Sequence, residues 1–132
     1  MKATTFATVM TLAILTAAGC AVDAYGDGHN FVKEVSTSQG TVLANRDGMT
    51  LYTFTNDAPE VSNCNGGCAD NWPPFTAGAA ATAGGGFNII ARNDGTQQWT
   101  YKGRPLYTWV GDRKEGDTNG DGVGNVWFVA QP

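Results

Sequence analysis

A ten-residue segment occurs twice in this chain and sets the main limit on its fold. Gly48–Asp57 reads GMTLYTFTND and Gly103–Asp112 reads GRPLYTWVGD, so the copies align without a gap at an offset of 55 residues. A repeat of this length is typical of a supersecondary unit that cannot bury its apolar face alone and needs another copy beside it. The sequence therefore predicts one small domain built from two related halves.

The first 19 residues have the composition of an export signal. Lys2 supplies the positive charge at the start, and residues 6–18 form an apolar stretch. This stretch has the length of a signal-peptide core and is shorter than the roughly 20 apolar residues that a spanning helix needs. We therefore expect a signal peptide at residues 1–19 and an exported protein.

The end of this signal resembles a bacterial lipobox. In Leu15–Cys20 the cysteine would be lipidated and become the mature N-terminus, although Ala17 stands where leucine is usual. Val22–Ala24 offers a competing cleavage site of the simple secreted type. We expect a lipid on Cys20, a flexible linker at residues 20–30, and a folded domain at residues 31–132 that is held at the cell envelope.

The net charge of the chain limits its partners. Its 8 Lys and Arg stand against 12 Asp and Glu, which gives a formal charge of -4. Nucleic acids and anionic lipid surfaces both attract proteins through basic patches. We therefore expect no nucleic-acid partner, and contact with the membrane through the lipid anchor only.

Two of the three cysteines lie close together, as Cys64-Asn-Gly-Gly-Cys68. An oxidising compartment favours a disulfide between them, and the two glycines let the backbone turn tightly. Closing so short a loop stabilises a fold by about 2 kcal/mol, so its main effect is on local shape. The alternatives are a redox-active pair or two thiolate metal ligands. The spacing differs from the thioredoxin-type Cys-x2-Cys, and no His follows Cys68 for haem attachment.

Alternating apolar residues and turn signals predict strands and no long amphipathic helix. Asp47-Gly48 and Lys102-Gly103 predict two-residue type I′ turns in two equivalent hairpins. Pro105 predicts that its strand runs along a sheet edge or leaves that backbone position unpaired. A helical turn is predicted at residues 69–72, and an Ala-, Gly- and Thr-rich connector at 76–86. The predicted strands are 31–37, 41–46, 49–54, 87–92, 96–101, 104–109 and 126–130.

The fold class that follows is mainly β. Repeat 1 covers about residues 32–75 and repeat 2 about residues 87–130. We expect a small single domain of two tandem β-hairpin repeats with pseudo-two-fold symmetry, arranged as a sheet or a barrel-like sandwich.

The repeated motif contributes aromatic and acidic side chains at matching positions. Alternation places Tyr52 with Phe54, and Tyr107 with Trp109, on one face of the sheet, with the leucines on the other. These aromatics either fill the core, which we favour, or form an exposed face that stacks on sugars or a planar cofactor. Two carboxylates, Asp57 and Asp112, follow the repeated strands, where short acidic side chains commonly accept backbone N–H bonds in turns.

These motifs resemble those of a bacterial family of predicted lipoproteins, described as a secreted repeat of unknown function. Tyr52–Asp57 and Tyr107–Asp112 both fit its motif Y-x-[FWY]-x-x-D. Cys64–Pro74 is similar to the Cys, Cys-Ala and Trp-Pro-Pro segment that joins the family's repeats, and residues 116–127 resemble the Gly-rich approach to its last Trp. The resemblance covers residues 35–130. It implies export, lipidation and a repeated β domain, and it carries no known activity.

One acidic loop and one scattered set of residues are candidate metal sites. Asp117, Asn119 and Asp121 match the first half of an EF-hand calcium loop, but Phe128 stands where the bidentate Glu belongs, so we favour a plain turn. A soft-metal site would need His29, Met49 and a reduced cysteine, and nothing in their spacing brings them together. We expect no resident cofactor.

The chain lacks the sequence motifs of common enzyme classes. It contains no Gly-x-Ser-x-Gly elbow, no His-Glu-x-x-His and no phosphate loop, and a glycosidase-type carboxylate pair would have to come from turn aspartates. We expect a non-enzymatic binding or interaction module for an unknown envelope partner or a small ligand. The alternative is a redox or electron-transfer accessory that uses Cys64 and Cys68, or a bound metal or haem.

Overall fold

The computed structural model describes residues 31–132. The predicted signal peptide and linker, with Cys20 and His29, lie outside the described residues. Within residues 31–132, none of the helices has the length and apolar character needed to cross a membrane.

The described chain is mainly β, which confirms the predicted fold class. Its short helix α1 (Gly67–Asn71) overlaps the predicted helical turn at residues 69–71, and a 3-10 turn occupies Val123–Asn125. The strands in chain order are β1 Val32–Thr37, β2 Gly40–Asn45, β3 Tyr52–Phe54, β4 Phe87–Ala91, β5 Gln97–Tyr101, β6 Arg104–Pro105 and β7 Trp127–Val129.

These strands pair antiparallel in three small sheets. The sheets are β1-β2, β3-β7 and β4-β5-β6. Strand β6 lies at a sheet edge, as expected for a strand that contains Pro105. Pairing of β3 with β7 sets Tyr52 opposite Val129 and Phe54 opposite Trp127, so the last strand of repeat 2 joins the hairpin of repeat 1.

The two hairpin turns differ, and this corrects one prediction. Lys102 and Gly103 both have positive φ, 49° and 83°, so the second hairpin has its type I′ turn. The prediction is wrong for the first hairpin, where Gly48 has a φ of 85° and Asp47 does not have a positive φ. The Asn45 side chain accepts hydrogen bonds from the N–H groups of Asp47 and Met49, both at 3.0 Å. These bonds favour a three-residue loop that ends in a left-handed glycine.

Side chains alternate between two apolar clusters, as the sequence predicts. Leu51 and Leu106 are fully buried in the first cluster, together with Trp99. Tyr52 and Tyr107 are fully buried in the second. The repeated tyrosines therefore lie inside the protein and do not form an exposed aromatic face.

The last segment of each repeat packs on the hairpin of the other. Three backbone hydrogen bonds of 2.8 to 2.9 Å form a ring. The Leu43 N–H donates to the Ala130 carbonyl, the Ala130 N–H donates to the Leu51 carbonyl, and the Leu51 N–H donates to the Leu43 carbonyl. Because Ala130 closes repeat 2 and the leucines belong to repeat 1, the ring joins the repeats. An equivalent ring at 2.8 to 3.0 Å consists of Phe75, Trp99 and Leu106.

Candidate functional site

The two copies of the motif meet at their tyrosines. The Tyr52 N–H donates to the Tyr107 carbonyl at 2.8 Å, and the Tyr107 N–H donates to the Tyr52 carbonyl at 3.0 Å. Such a reciprocal pair is the hydrogen-bonded pair of an antiparallel ladder. The pseudo-two-fold axis expected from the sequence therefore passes between these residues.

The motif carboxylates are exchanged between the repeats. The Tyr52 hydroxyl donates to Asp112 at 2.6 Å, and the Tyr107 hydroxyl donates to Asp57 at 2.7 Å. The other oxygen of each carboxylate accepts a backbone N–H from the loop that follows, at 3.0 and 2.7 Å. Acceptance of backbone N–H groups agrees with the turn role expected from the sequence, whereas the exchange was not predicted.

Burial determines the protonation of these groups. Desolvation raises the pKa of the Asp57 and Asp112 carboxyl groups above the usual range, and it raises the pKa of both tyrosine hydroxyls as well. The tyrosines therefore stay protonated and donate to the carboxyl groups, which are ionised at pH values above their raised pKa. Hydrogen bonds to an ionised acceptor are stronger than neutral ones. The arrangement cross-links the repeats and presents no exposed nucleophile.

Four aromatic rings form one continuous stack, here called the aromatic column. Its order is Phe54, Trp127, Trp72 and Trp109, with ring centroids 4.3, 3.8 and 4.1 Å apart and interplanar angles of 11°, 3° and 28°. The inner tryptophans, Trp127 and Trp72, are 4% and 5% exposed, and the motif residues at the two ends are half-buried. Each end ring stacks on the inner tryptophan of the other repeat, so the column obeys the same pseudo-symmetry.

The disulfide between Cys64 and Cys68 is present, as predicted. Cys64 is fully buried in the second cluster, and α1 begins at Gly67 inside the closed loop. Because α1 ends one residue before Trp72, the loop helps to hold that ring in the aromatic column.

The matching loop of repeat 2 has no cysteines and approaches the core through Gly120. The Gly120 N–H donates to the Tyr52 hydroxyl at 3.2 Å. A Cβ atom at this position would lie 2.8 Å from the Trp72 ring and 2.9 Å from the Tyr52 ring. Only glycine therefore lets this loop approach the aromatic column without displacing a ring.

A buried arginine connects the disulfide loop to repeat 2. Arg92 is 7% exposed, and it donates to the Cys64 carbonyl and to Gln98 Oε1, both at 2.7 Å. It also donates to the Ser62 hydroxyl at 2.9 Å, which lies 2.6 Å from the Tyr107 hydroxyl. The network thus reaches the motif, and within the described chain only Arg92 Nε is a buried side-chain nitrogen or oxygen without a hydrogen-bond partner.

The candidate calcium ligands lie in the loop before β7 and bond to the backbone. Asp117 Oδ2 accepts two N–H groups of its own turn at 2.9 and 3.2 Å, and Asp121 Oδ1 accepts the Val129 N–H at 3.0 Å. The Asn119 side-chain amide donates to a backbone carbonyl at 3.4 Å. Among residues 31–132, no group of three or more His, Cys, Asp or Glu side chains is placed to hold a metal ion. Calcium binding here stays a prediction.

The soft-metal candidates are not brought together. Cys64 and Cys68 are joined to each other, so neither offers a thiolate. Met49 lies half-buried in the first hairpin loop, and His29 lies outside the described residues.

A concave surface lies beside β3, β6 and β7, and we call it the Arg104 groove. It has a volume of about 440 Å³, and its lining includes the apolar residues Phe54 and Phe128. Its basic side chains, Lys102 and Arg104, are both exposed and come from the second hairpin. Asp57 also lines the groove, but its carboxylate is occupied by the hydrogen bonds described above.

Comparison with known protein families agrees with this geometry. The model of a family described as a secreted repeat of unknown function matches the chain twice, at residues 33–76 and 88–131. The chain belongs to this family. The two matches correspond to the halves that meet at Tyr52 and Tyr107, and membership implies export. No curated protein and no solved structure matches this secreted-repeat protein significantly.

Sequence reasoning missed the groove and the buried arginine. The partners of Arg92 in the disulfide loop lie 27 to 30 residues away, so no local motif marks them. Lys102 and Arg104 flank the glycine of the second repeat copy. This pair of basic residues in an acidic chain is the sequence signal that could have indicated the groove.

Proposed function

We propose that this secreted-repeat protein is a lipid-anchored, non-enzymatic binding module of the cell envelope. Family membership supports export, and the lipobox-like segment before Cys20 supports the anchor. The binding role rests on the Arg104 groove, because a concave surface that combines apolar walls with a few polar groups is the usual form of a ligand site.

The chemistry of the groove favours an anionic ligand with an apolar part. Lys102 and Arg104 supply positive charge in a chain whose formal charge is -4. Phe128, which is 37% exposed, supplies apolar surface in the same lining. The volume of about 440 Å³ suits a small molecule.

The lining of the groove supports binding without catalysis. Its hydroxyl groups, Thr53 and Thr55, donate no hydrogen bond to a base within residues 31–132. A hydrogen bond to a neighbouring base is the usual sign of an activated nucleophile. The motif tyrosines are fully buried and bonded to carboxylates, so they are not available to a ligand.

Titration with 8-anilinonaphthalene-1-sulfonate, an anionic aromatic dye, tests the groove. We expect saturable binding to one site, followed by dye fluorescence, and a loss of about tenfold in affinity, or about 1.4 kcal/mol, in Arg104→Glu. The matched control is Arg113→Glu, because Arg113 is also exposed and lies outside the groove. An absence of saturable binding, or the same loss in both variants, would show that the groove is not the site.

The lipid anchor requires a separate measurement. Intact mass of the protein purified from its native envelope should show a diacyl or triacyl mass on Cys20. A Cys20→Ala variant should leave the membrane fraction. An unmodified mass with cleavage near Ala24 would instead support simple secretion.

A further inference from the structure

We propose that the aromatic column conducts single electrons between the protein surface at Trp109 and the buried tyrosine Tyr52. This activity goes beyond the binding role. It depends on the tryptophans and tyrosines, and the column shares only Phe54 with the lining of the Arg104 groove.

The first support is the continuity of the column. Trp109 stacks on Trp72 at 4.1 Å, and Trp72 stacks on Trp127 at 3.8 Å with the rings 3° from parallel. Rings at these separations are in direct face-to-face contact. Electrons therefore pass from ring to ring without crossing intervening saturated groups.

The second support is the difference between the two ends. Tryptophan and tyrosine are the side chains that lose a single electron most readily, whereas phenylalanine resists oxidation. The half-buried end of the column in repeat 2 is Trp109, and the half-buried end in repeat 1 is Phe54. The column is therefore open to a surface oxidant at one end and closed at the other.

The third support is the acceptor for the tyrosine proton. The Tyr52 ring packs edge-on against Trp72 at 5.4 Å with an interplanar angle of 78°. A tyrosine loses an electron easily only when its hydroxyl proton leaves at the same time, and Asp112 accepts that hydrogen bond at 2.6 Å. Burial raises the pKa of the Asp112 carboxyl, which makes the carboxylate a better proton acceptor.

The resulting step balances in electrons and protons. A one-electron oxidant, namely a transition-metal complex such as tris(bipyridine)ruthenium(III), takes an electron from Trp109. Trp109 regains an electron from Trp72, and Trp72 regains one from Tyr52. The Tyr52 O–H bond breaks, and its proton forms a new O–H bond on Asp112. One electron has gone to the oxidant, and a neutral tyrosyl radical remains. A one-electron reductant at Trp109 reverses both transfers.

The pseudo-symmetry provides a second branch. Tyr107 packs edge-on against Trp127 at 5.1 Å, and its hydroxyl donates to Asp57 at 2.7 Å. An electron from Tyr107 reaches Trp109 through both inner tryptophans. Both branches therefore use Trp109 as their common exit.

Flash photolysis with tris(bipyridine)ruthenium tests the proposal. A quencher converts the excited dye to ruthenium(III), and transient absorption then follows the tryptophan and tyrosyl radicals. The test protein carries Tyr25→Phe and Tyr101→Phe, so its remaining tyrosines are Tyr52 and Tyr107. We expect a tryptophan radical that decays as a tyrosyl radical appears.

Matched tryptophan variants separate the column from the rest of the protein. Trp109→Phe keeps a ring at the end of the column, and it should abolish the tyrosyl signal. The control is Trp99→Phe, because Trp99 is buried in the other cluster and should leave the signal unchanged. Equal signals in the two variants, or no tyrosyl radical in the parent, would overturn the proposal.

A gain-of-function variant guards against loss of folding as an explanation. Phe54→Trp gives the column a second oxidisable end, so the tyrosyl yield should rise above that of the parent. Near-UV circular dichroism confirms that each variant keeps its packed aromatic core. An unchanged yield in a folded Phe54→Trp variant also contradicts the proposal.

Discussion

Replacing Tyr52 by Phe removes one hydroxyl from the centre of the fold and keeps the ring. That hydroxyl donates to Asp112 at 2.6 Å and accepts the Gly120 N–H at 3.2 Å. Asp112 is 7% exposed and Gly120 is buried, so water does not replace the lost hydrogen bonds. The variant therefore leaves a carboxylate and an N–H group underbonded inside the protein.

The expected loss follows from these two hydrogen bonds. A hydrogen bond to a charged group contributes about 1.5–3 kcal/mol, and a buried N–H left without a partner costs about 1–3 kcal/mol. Asp112 keeps the N–H of Asn119, so the loss should lie in the lower half of the combined range of about 2.5–6 kcal/mol. We expect Tyr52→Phe to lower the free energy of unfolding by about 3–4 kcal/mol.

Urea denaturation with the disulfide intact measures this loss, and the midpoint should fall while the slope stays the same. The matched control is Tyr101→Phe, because Tyr101 is half-buried and its hydroxyl makes no hydrogen bond within residues 31–132. Removing that hydroxyl should change the free energy of unfolding by less than about 0.5 kcal/mol. A double-mutant cycle with Asp112→Asn should give a coupling of about 1.5 kcal/mol or more. Equal effects of the two tyrosine variants, or a coupling near zero, would refute the reasoning.

Two further predictions concern the same region. Burial raises the pKa of Asp57 and Asp112 above 3.8, so the folded state binds more protons than the unfolded state does. The contribution of these groups to stability should therefore rise as the pH falls through the raised pKa values toward 3.8. The double variant Asp57→Asn, Asp112→Asn should lack this rise when urea midpoints are compared from about pH 7 to about pH 4, and parallel pH profiles would contradict the prediction. Gly120→Ala should lower stability by about 1–3 kcal/mol, because its Cβ would lie 2.8 Å from the Trp72 ring. Gly67→Ala has no atom within 4 Å of the new Cβ and should be neutral or slightly stabilising in thermal melts, so equal losses would refute the steric argument.

The sequence was sufficient to predict the repeat and the side-chain alternation. Leu51 and Tyr52 are adjacent, and a strand directs adjacent side chains to opposite faces, so the two clusters follow from local geometry. The disulfide could be predicted because its cysteines are 4 residues apart and the compartment is oxidising.

The exchange of carboxylates could not be predicted in the same way. Tyr52 and Asp112 are 60 residues apart, and Tyr107 and Asp57 are 50 residues apart. The motif reads the same whether each tyrosine bonds its own aspartate or that of the other repeat. The antiparallel pairing of Tyr52 with Tyr107 in the folded protein decides which aspartate each tyrosine bonds.

The prediction of the first hairpin turn was wrong for a different physical reason. Asp-Gly tolerates the type I′ turn, but the Asn45 side chain adds two hydrogen bonds that require a longer loop. The groove was missed because its walls come from β3, β6 and β7, which are distant in sequence.

The exchanged aspartates also determine how independent one repeat can be. An isolated repeat would keep its tyrosine but lose the carboxylate that accepts its hydrogen bond. Its last segment would also lack the hairpin of the other repeat on which it packs. Two identical copies of one repeat, related by a two-fold axis, would satisfy all of these contacts at once. The present chain is thus the covalent form of a domain-swapped homodimer. Because both repeats belong to one chain, their contact forms within one molecule and does not depend on protein concentration.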